Sequence, residues 1–393
     1  MWRKVPAWLG GLALVLSLGA AGAPADLPPL LRAGDARQVQ PPGTPTAARI
    51  AEAVIGLGHR MSAATPDGNW VASPLSVTYA YGMLRAGAGG HTAAALDELY
   101  GMRGEDLHRT LNAISAAVES GDLAIANGLF LQHGFGVGIP FLRTLATQYG
   151  TGVHQVDFGT DRSGRVINGW ISDQTHGRIT ELFRWEPGLV AVIANAIYLD
   201  ADWVRPFGGA NPTMPAPFTT PAGPVTVPMM HQVTDLPYAE GDGWQAVDLA
   251  YRDSDLVMRI LLPAPGRDPA PLLLRTTDIG AAMRPVPIDL RLPKWTSRTP
   301  VDLTKIGPRE LYQGADLSGI APGVWISRAV HEAWIRVDEK GTEAAAATSI
   351  SIAVSAPRPP ATRLLADRPF AYAIVHRPTG VPLFMGRVAD PGR

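Results

Sequence analysis

The chain has 393 residues, 46% apolar and 18% charged, with 34 Lys+Arg against 35 Asp+Glu and a formal net charge of −1. That length and apolar fraction suffice for a large buried core and exclude a wholly disordered chain. A near-neutral balance without basic blocks argues against nucleic acid as a partner, and the absence of cysteine removes disulfides, thiolate catalysis and Cys–zinc sites.

The first residues read as a secretory signal peptide, residues 1–25. Arg3 and Lys4 give a positive start, and residues 9–18 are apolar but too short for a span of ~20 residues. Small residues follow, with Ala23 and Ala25 placed for cleavage after Ala25. Residues 26–44 carry Pro28, Pro29, Pro41 and Pro42 without a period and read as a flexible lead-in. Thr44-Pro45 opens a helix continued by Ile50, Val54, Leu57 and Met61 at helical spacing. Ser73-Pro74 repeats that signature and opens a second helix. Residues 91–118 read as two short helices, 123–131 as a strand, and 139–149 and 165–174 as helices. Residues 190–199 are a continuous apolar run with one Asn, as in a strand buried on both faces. Residues 218–262 alternate strands and turns; 288–292, 326–335, 372–376 and 382–388 are further strands. Without a visible boundary or repeat, residues 45–393 form one large α+β domain.

No motif argues for an enzyme. There is no GxSxG, HExxH, Walker loop or GxGxxG, and the nine histidines show no ligand spacing on a helix. His331-Glu332 sits in a strand pattern, where a core histidine is the simpler account than a metal ligand. No metal or cofactor is expected. The scarcity of lysine (Lys4, Lys294, Lys305 and Lys340) against abundant Arg, Ala, Gly and Pro reflects coding bias.

The unusual segment is 339–368. Its first part is small residues and its end is proline-rich. Ala344, Ala345, Ala346 and Ala347 favour a helix by propensity. Yet Thr342, Ala344, Ala346, Thr348, Ile350, Ile352 and Val354 form one alternating set, and Glu343, Ala345, Ala347, Ser349, Ser351 and Ser355 most of the other. One face is apolar and the other small or polar, so the same segment suits an exposed loop or a half-buried strand.

Here the chain resembles the serpin family, over roughly residues 45–391, as a bacterial-like secreted member. The stretch from Val337 through Glu339, Lys340, Gly341 and Thr342 to Thr348 is similar to the hinge of an inhibitory reactive-centre loop. Arg368-Pro369-Phe370 and Pro382-Leu383-Phe384-Met385-Gly386-Arg387 resemble the family's closing strands. Asn69 with Ser73-Pro74 and Ser76, Asn127-Gly128-Leu129-Phe130, Asn195-Ala196-Ile197-Tyr198, Trp203, Pro206-Phe207, Met229-Met230, Leu292-Pro293-Lys294 and Asp316-Leu317-Ser318-Gly319 fit in order.

The resemblance implies a serpin fold of three β-sheets and about nine helices, with an exposed reactive-centre loop at 339–368. It implies suicide inhibition of serine proteases: the loop is cut, an acyl-enzyme forms, and the cut loop inserts into the central sheet of a metastable fold, trapping the protease covalently. The hinge would comprise Glu339, Gly341, Thr342, Glu343, Ala344, Ala345, Ala346, Ala347 and Thr348, with Thr342 facing inward and Glu343 outward. Ser73, Ser76, Asn195 and His331 match a polar cluster under the sheet's opening point. Trp203, Lys294 and Glu339 match a gate at the top of the sheet. Counted from Glu339, the scissile bond falls after Ser355, and a slip of one puts it after Val354; Val354, Ser355 and Ala356 are the candidates. An elastase-like or subtilisin-like target follows from their small side chains.

The chain departs from the family in two places. The short stretch from Thr92 to Asn127 offers only Arg103, His108 and Arg109, so no glycosaminoglycan cofactor is expected. The loop is also longer on its C-terminal side than the common pattern. A monomer is expected, secreted or periplasmic, without nucleic acid or membrane partners. A non-inhibitory serpin acting as carrier or chaperone is the alternative within the fold, and a secreted hydrolase the alternative outside it.

Overall fold

A computed structural model describes residues 28–39, 46–65, 68–118, 123–342 and 362–393. Residues 1–25, expected to be a signal peptide, lie outside them. The chain opens with β1 (Leu30–Leu31), followed by α1 (Thr46–Ala63), β2 (Trp70–Ala72) and α2 (Pro74–Arg85). At the head of α2 the Ser73 hydroxyl accepts from the Ser76 amide, and Pro74 fills the first turn where no amide donor is needed. Next come α3 (Gly90–Tyr100), α4 (Gly104–Val118), β3 (Leu123–Gln132) and α5 (Ile139–Thr144). Gly101 ends α3 in the left-handed conformation, φ 60°. The single helix expected over 139–149 is instead α5 followed by a π-helical turn, Leu145–Tyr149. Within that turn the Thr147 carbonyl accepts from the Gln38 amide.

β4 (Val153–Val156), α6 (Arg162–Gln174), β5 (Ala191–Leu199) and β6 (Ala201–Asp202) follow. Then come β7 (Met214–Thr220), β8 (Gly223–Gly241), β9 (Trp244–Ala250), β10 (Leu256–Pro263), α7 (Ala270–Leu273) and α8 (Thr276–Ala282). The chain closes with β11 (Arg284–Pro293), β12 (Trp295–Asp302), β13 (Ile326–Val337), β14 (Gly341–Thr342), β15 (Thr362–Leu365), β16 (Phe370–His376) and β17 (Val381–Val388). Eight α-helices are thus present among the described residues, with a π turn and two 3-10 turns besides.

One sheet runs β1-β4-β3-β5-β13-β14-β6, with β12 also paired to β13. Its centre is the parallel pair β5 and β13. Every residue of β5 is buried, because both faces are covered. The α6 face packs Ile167, Trp170 and Ile171 on Phe130, Val192, Ala194, Ala196 and Val330. The opposite face joins the main core with α2. The described part of the lead-in, residues 28–39, departs from the flexible segment expected at 26–44. Leu30 and Leu31 pair with His154 and Val153, and the Pro29 carbonyl accepts from Gln155. Two residues of edge pairing supply the order that the proline-rich composition concealed.

The remaining strands run β15-β11-β8-β9-β10-β16-β17-β2, with β7 on β8. β8 is 19 residues long. It pairs with β7 and β11 over most of its length and with β9 at its end, so two of the fold's three sheets share one strand and one hydrogen-bond network.

Candidate functional site

The site forms where β13 turns back on itself. The Asp338 carboxylate accepts from the Lys340 amide at 2.9 Å, and the Gly341 carbonyl accepts from the Asp338 amide at 3.1 Å. This tight turn returns the chain as β14. Thr342 pairs with Val337 on one side and Ala201 on the other, and Gly341 pairs with Asp202. The start of the expected hinge is therefore a short strand between β13 and β6. Gly341 is required there by contact: a Cβ would lie 2.1 Å from the Ala201 carbonyl oxygen.

Thr342 is fully buried, and its hydroxyl hydrogen-bonds the Tyr251 phenol at 2.5 Å. Burial holds that phenol protonated, far above its ordinary pKa. Trp203 stacks on Tyr251 with ring centroids 4.5 Å apart, and its indole N–H donates to the Asp338 carbonyl at 3.0 Å. The Trp203 and Phe207 amides donate to the Lys340 and Glu339 carbonyls. The turn is thus gripped through its backbone by the segment after β6.

Glu339 and Lys294 meet in an ion pair at 3.1 Å, half-buried, and the Thr213 hydroxyl adds a hydrogen bond of 2.7 Å to the same carboxylate. Partial burial pulls the Glu339 carboxyl up, but the bonds from Thr213 and Lys294 outweigh it and leave the pKa below the ordinary value.

Below the hinge the sheet is closed. β13 and β5 pair in parallel from Ile326 opposite Ala191 to Ala333 opposite Ile197. His331 stands opposite Asn195 within this stretch. The His331 Nε2 accepts from the Ser73 amide at 3.0 Å, which fixes its tautomer: Nδ1 carries the proton and donates to the Asn195 side-chain oxygen. The Asn195 amide nitrogen donates to the Ser76 hydroxyl at 2.6 Å and to the Asn127 side-chain oxygen. Complete burial pushes the His331 pKa down to about 3, against the pull of its bond to Asn195. Both ring nitrogens are engaged, so neither is left for a metal.

The structure therefore brings together Ser73, Ser76, Asn195 and His331, and separately Trp203, Lys294 and Glu339. Of the hinge it describes Glu339, Gly341 and Thr342. Glu343, Ala344, Ala345, Ala346, Ala347 and Thr348 lie outside the described residues, as do Val354, Ser355 and Ala356. Sequence reasoning missed Tyr251 and Thr213, which arrive from distant strands with no local pattern. It also missed Asn127 as a member of the polar cluster, although its place opposite Asn195 follows from pairing β3 with β5.

A family model described as serpin, serine protease inhibitor, matches residues 50–391. The leukocyte elastase inhibitor of Bos taurus is 33% identical over 358 residues, covering 83% of this chain and 94% of that one. A serpin-like protein of Thermococcus kodakarensis is 33% identical over 341 residues, covering 81% and 80%. The native crystal structure of the thermophilic serpin tengpin shares the fold at a TM-score of 0.82 and 24% identity, covering 90% of this chain and 97% of that one. The chain belongs to the serpin family. Members of that family are generally protease inhibitors and not enzymes.

Proposed function

We propose that this protein is an exported suicide inhibitor of serine proteases, acting by loop cleavage, acyl-enzyme trapping and insertion of the cut loop between β5 and β13. The observation that carries this reading is the position of Thr342, which already has a strand partner on each side. Insertion then extends an existing strand and needs no new nucleus. Continuing the same two registers sets Ala344 between Ile335 and Leu199, and Ala346 between Ala333 and Ile197. Small side chains at these inward positions let the strand enter without burying charge or bulk. Each inserted residue adds backbone hydrogen bonds worth about 1 kcal/mol net apiece. The His331–Asn195 bond must break as the strands part, and a compact polar cluster is suited to breaking and re-forming.

The name of the bovine relative and the small side chains of Val354, Ser355 and Ala356 favour an elastase-like or subtilisin-like target, in a covalent one-to-one complex with a monomer. Incubation with elastase, subtilisin and trypsin tests the reading. An SDS-resistant adduct supports it. Cleavage without adduct identifies a non-inhibitory serpin, and turnover of a reporter substrate by the protein alone identifies a hydrolase.

A further inference from the structure

The loop after α6, residues 175–188, crosses the outer face of the sheet directly over the strands that insertion separates. Its start is shaped by backbone: His176 and Gly177 both have positive φ, 49° and 78°, and the Gly177 amide donates to the Ser172 carbonyl at 2.7 Å. The Arg178 amide donates back to the Thr175 carbonyl. This reversal sets Arg178 over two aromatic rings, 6.0 Å from the centroid of Tyr198 and 5.9 Å from that of Trp334. The rings are 6.4 Å apart, and the His176 ring meets Tyr198 edge-on at 5.9 Å.

The position of these rings matters more than the contact itself. Tyr198 belongs to β5 and Trp334 to β13, and each is one residue beyond the last pair, Ala333 opposite Ile197. They flank the point where the closed sheet ends and the hinge begins. Further along, the same loop is tied to the sheet by Arg298 of β12, which pairs with the buried Glu332 and donates to the Glu181 carbonyl.

We propose that Arg178 is a positioning residue that clasps the closed sheet by holding Tyr198 and Trp334 together across the gap the loop must enter. This rests on the inhibitory reading above. Inserting a strand moves β5 and β13 apart by one strand spacing, ~4.8 Å. The cation could then stay within ~6 Å of both rings only near the midpoint of the widened gap, over the inserted strand rather than over either ring. The contact is specific to the closed sheet, so it slows opening and has no counterpart after insertion.

The test uses a synthetic peptide with the sequence of residues 344–355 and follows its annealing into the intact protein by native-gel shift. Melting of the intact and the loop-cleaved protein is measured alongside. Arg178→Met keeps length and packing but removes the charge, and Arg178→Lys keeps the charge. Arg178→Met is expected to anneal peptide about fivefold faster or more, from the loss of two exposed cation–π contacts. It should also lower the intact midpoint while leaving the cleaved midpoint unchanged. Arg178→Lys should stay close to the parent in all three. An unchanged annealing rate in Arg178→Met overturns the proposal, and so does an equal drop in both midpoints, which would make Arg178 a brace for α6 in either state. If the parent protein takes up no peptide and gains no stability on cleavage, the inhibitory reading itself falls and the clasp falls with it.

Discussion

The phenol of Tyr251 and the hydroxyl of Thr342 meet at 2.5 Å in a site closed to water, although the residues are 91 positions apart in the chain. This bond holds Thr342, the first inward residue of the proposed hinge, inside the sheet. Removing either hydroxyl leaves the other buried without a partner, which costs about 1–3 kcal/mol. Tyr251→Phe and Thr342→Val should each destabilise the intact protein in urea unfolding. The double variant should cost less than the sum of the two, with a coupling of about 1 kcal/mol. Additive single effects would mean that the two hydroxyls do not interact.

Thr342→Arg puts a guanidinium where the native side chain is wholly buried between β13 and β6. Burying that charge unpaired costs several kcal/mol, so the hinge should leave the sheet and re-enter slowly after cleavage. The expected outcome is a substrate: normal cleavage by the target protease with a large rise in the inhibitor-to-protease ratio needed for complete inhibition. Trapping at an unchanged ratio would contradict the inward placement of Thr342.

The polar cluster sets a pH dependence. His331 is neutral in the native protein with a pKa of about 3, whereas the unfolded chain protonates near ~6.5. Between those values the unfolded state binds the proton and the native state does not. The stability His331 contributes is therefore fully present above pH ~6.5 and is lost as pH falls toward 3, at up to about 1.4 kcal/mol per pH unit. The cause is the complete burial of the ring, and a proton added at Nε2 would also face the Ser73 amide that already donates to that nitrogen. Burial also lowers the pKa values of His108, His154 and His376, so the parent slope sums several groups. His331→Gln should be less stable at pH 7 but show a shallower loss between pH 7 and 5, the two curves converging on acidification. Parallel curves would remove His331 from the account.

Local chemistry was legible in the sequence and long-range chemistry was not. Ser73-Pro74 announces α2 because cap and first turn are neighbours in the chain, and the apolar run of β5 announces a strand covered on both faces. The period-two pattern put Thr342 in the apolar alternating set, and the resemblance turned that set inward. By contrast β12 went unread, because its inner face alternates Trp295, Ser297, Thr299 and Val301, and two hydroxyls break the apolar signal. Thr299 sits inward for a reason invisible locally: its hydroxyl accepts from the Val71 amide on β2. Tyr251 and Thr213 were hidden for the same reason, since only the folded chain carries them to the hinge.

Loop cleavage should raise thermal stability sharply. In the intact protein only Gly341 and Thr342 of the loop's start hold strand pairing among the described residues, while β5 and β13 pair directly below them. Cleavage releases the tether to β15, so the strand can lengthen downward with partners on both sides. Calorimetry of intact and cleaved protein should show a higher midpoint after cleavage. Equal midpoints would mean that the sheet does not admit the loop.

The position of the cut is the sharpest remaining test. Proline follows both Ala356 and Arg358, and a proline after the bond removes its amide N–H and restricts approach, so Arg358 should be a poor trypsin site. Arg363-Leu364 looks open to trypsin in the sequence, but the structure puts it within β15, paired in parallel with Asp289 and Leu290 of β11. The Leu364 side chain is fully buried, and the Arg363 carbonyl accepts from the Gln245 side chain at 3.1 Å. A protease must bind its substrate extended and free of other pairing, so cutting there first requires β15 to detach. Neither Val354-Ser355 nor Ser355-Ala356 is followed by proline, and Val354 fills a shallow apolar pocket better than Ser355 does. N-terminal sequencing of the fragment released from a trapped complex should therefore begin at Ser355 or Ala356. A stable complex whose fragment begins at Pro359 or Leu364 would overturn the assignment, and would require an arginine-specific target together with a longer inserted strand.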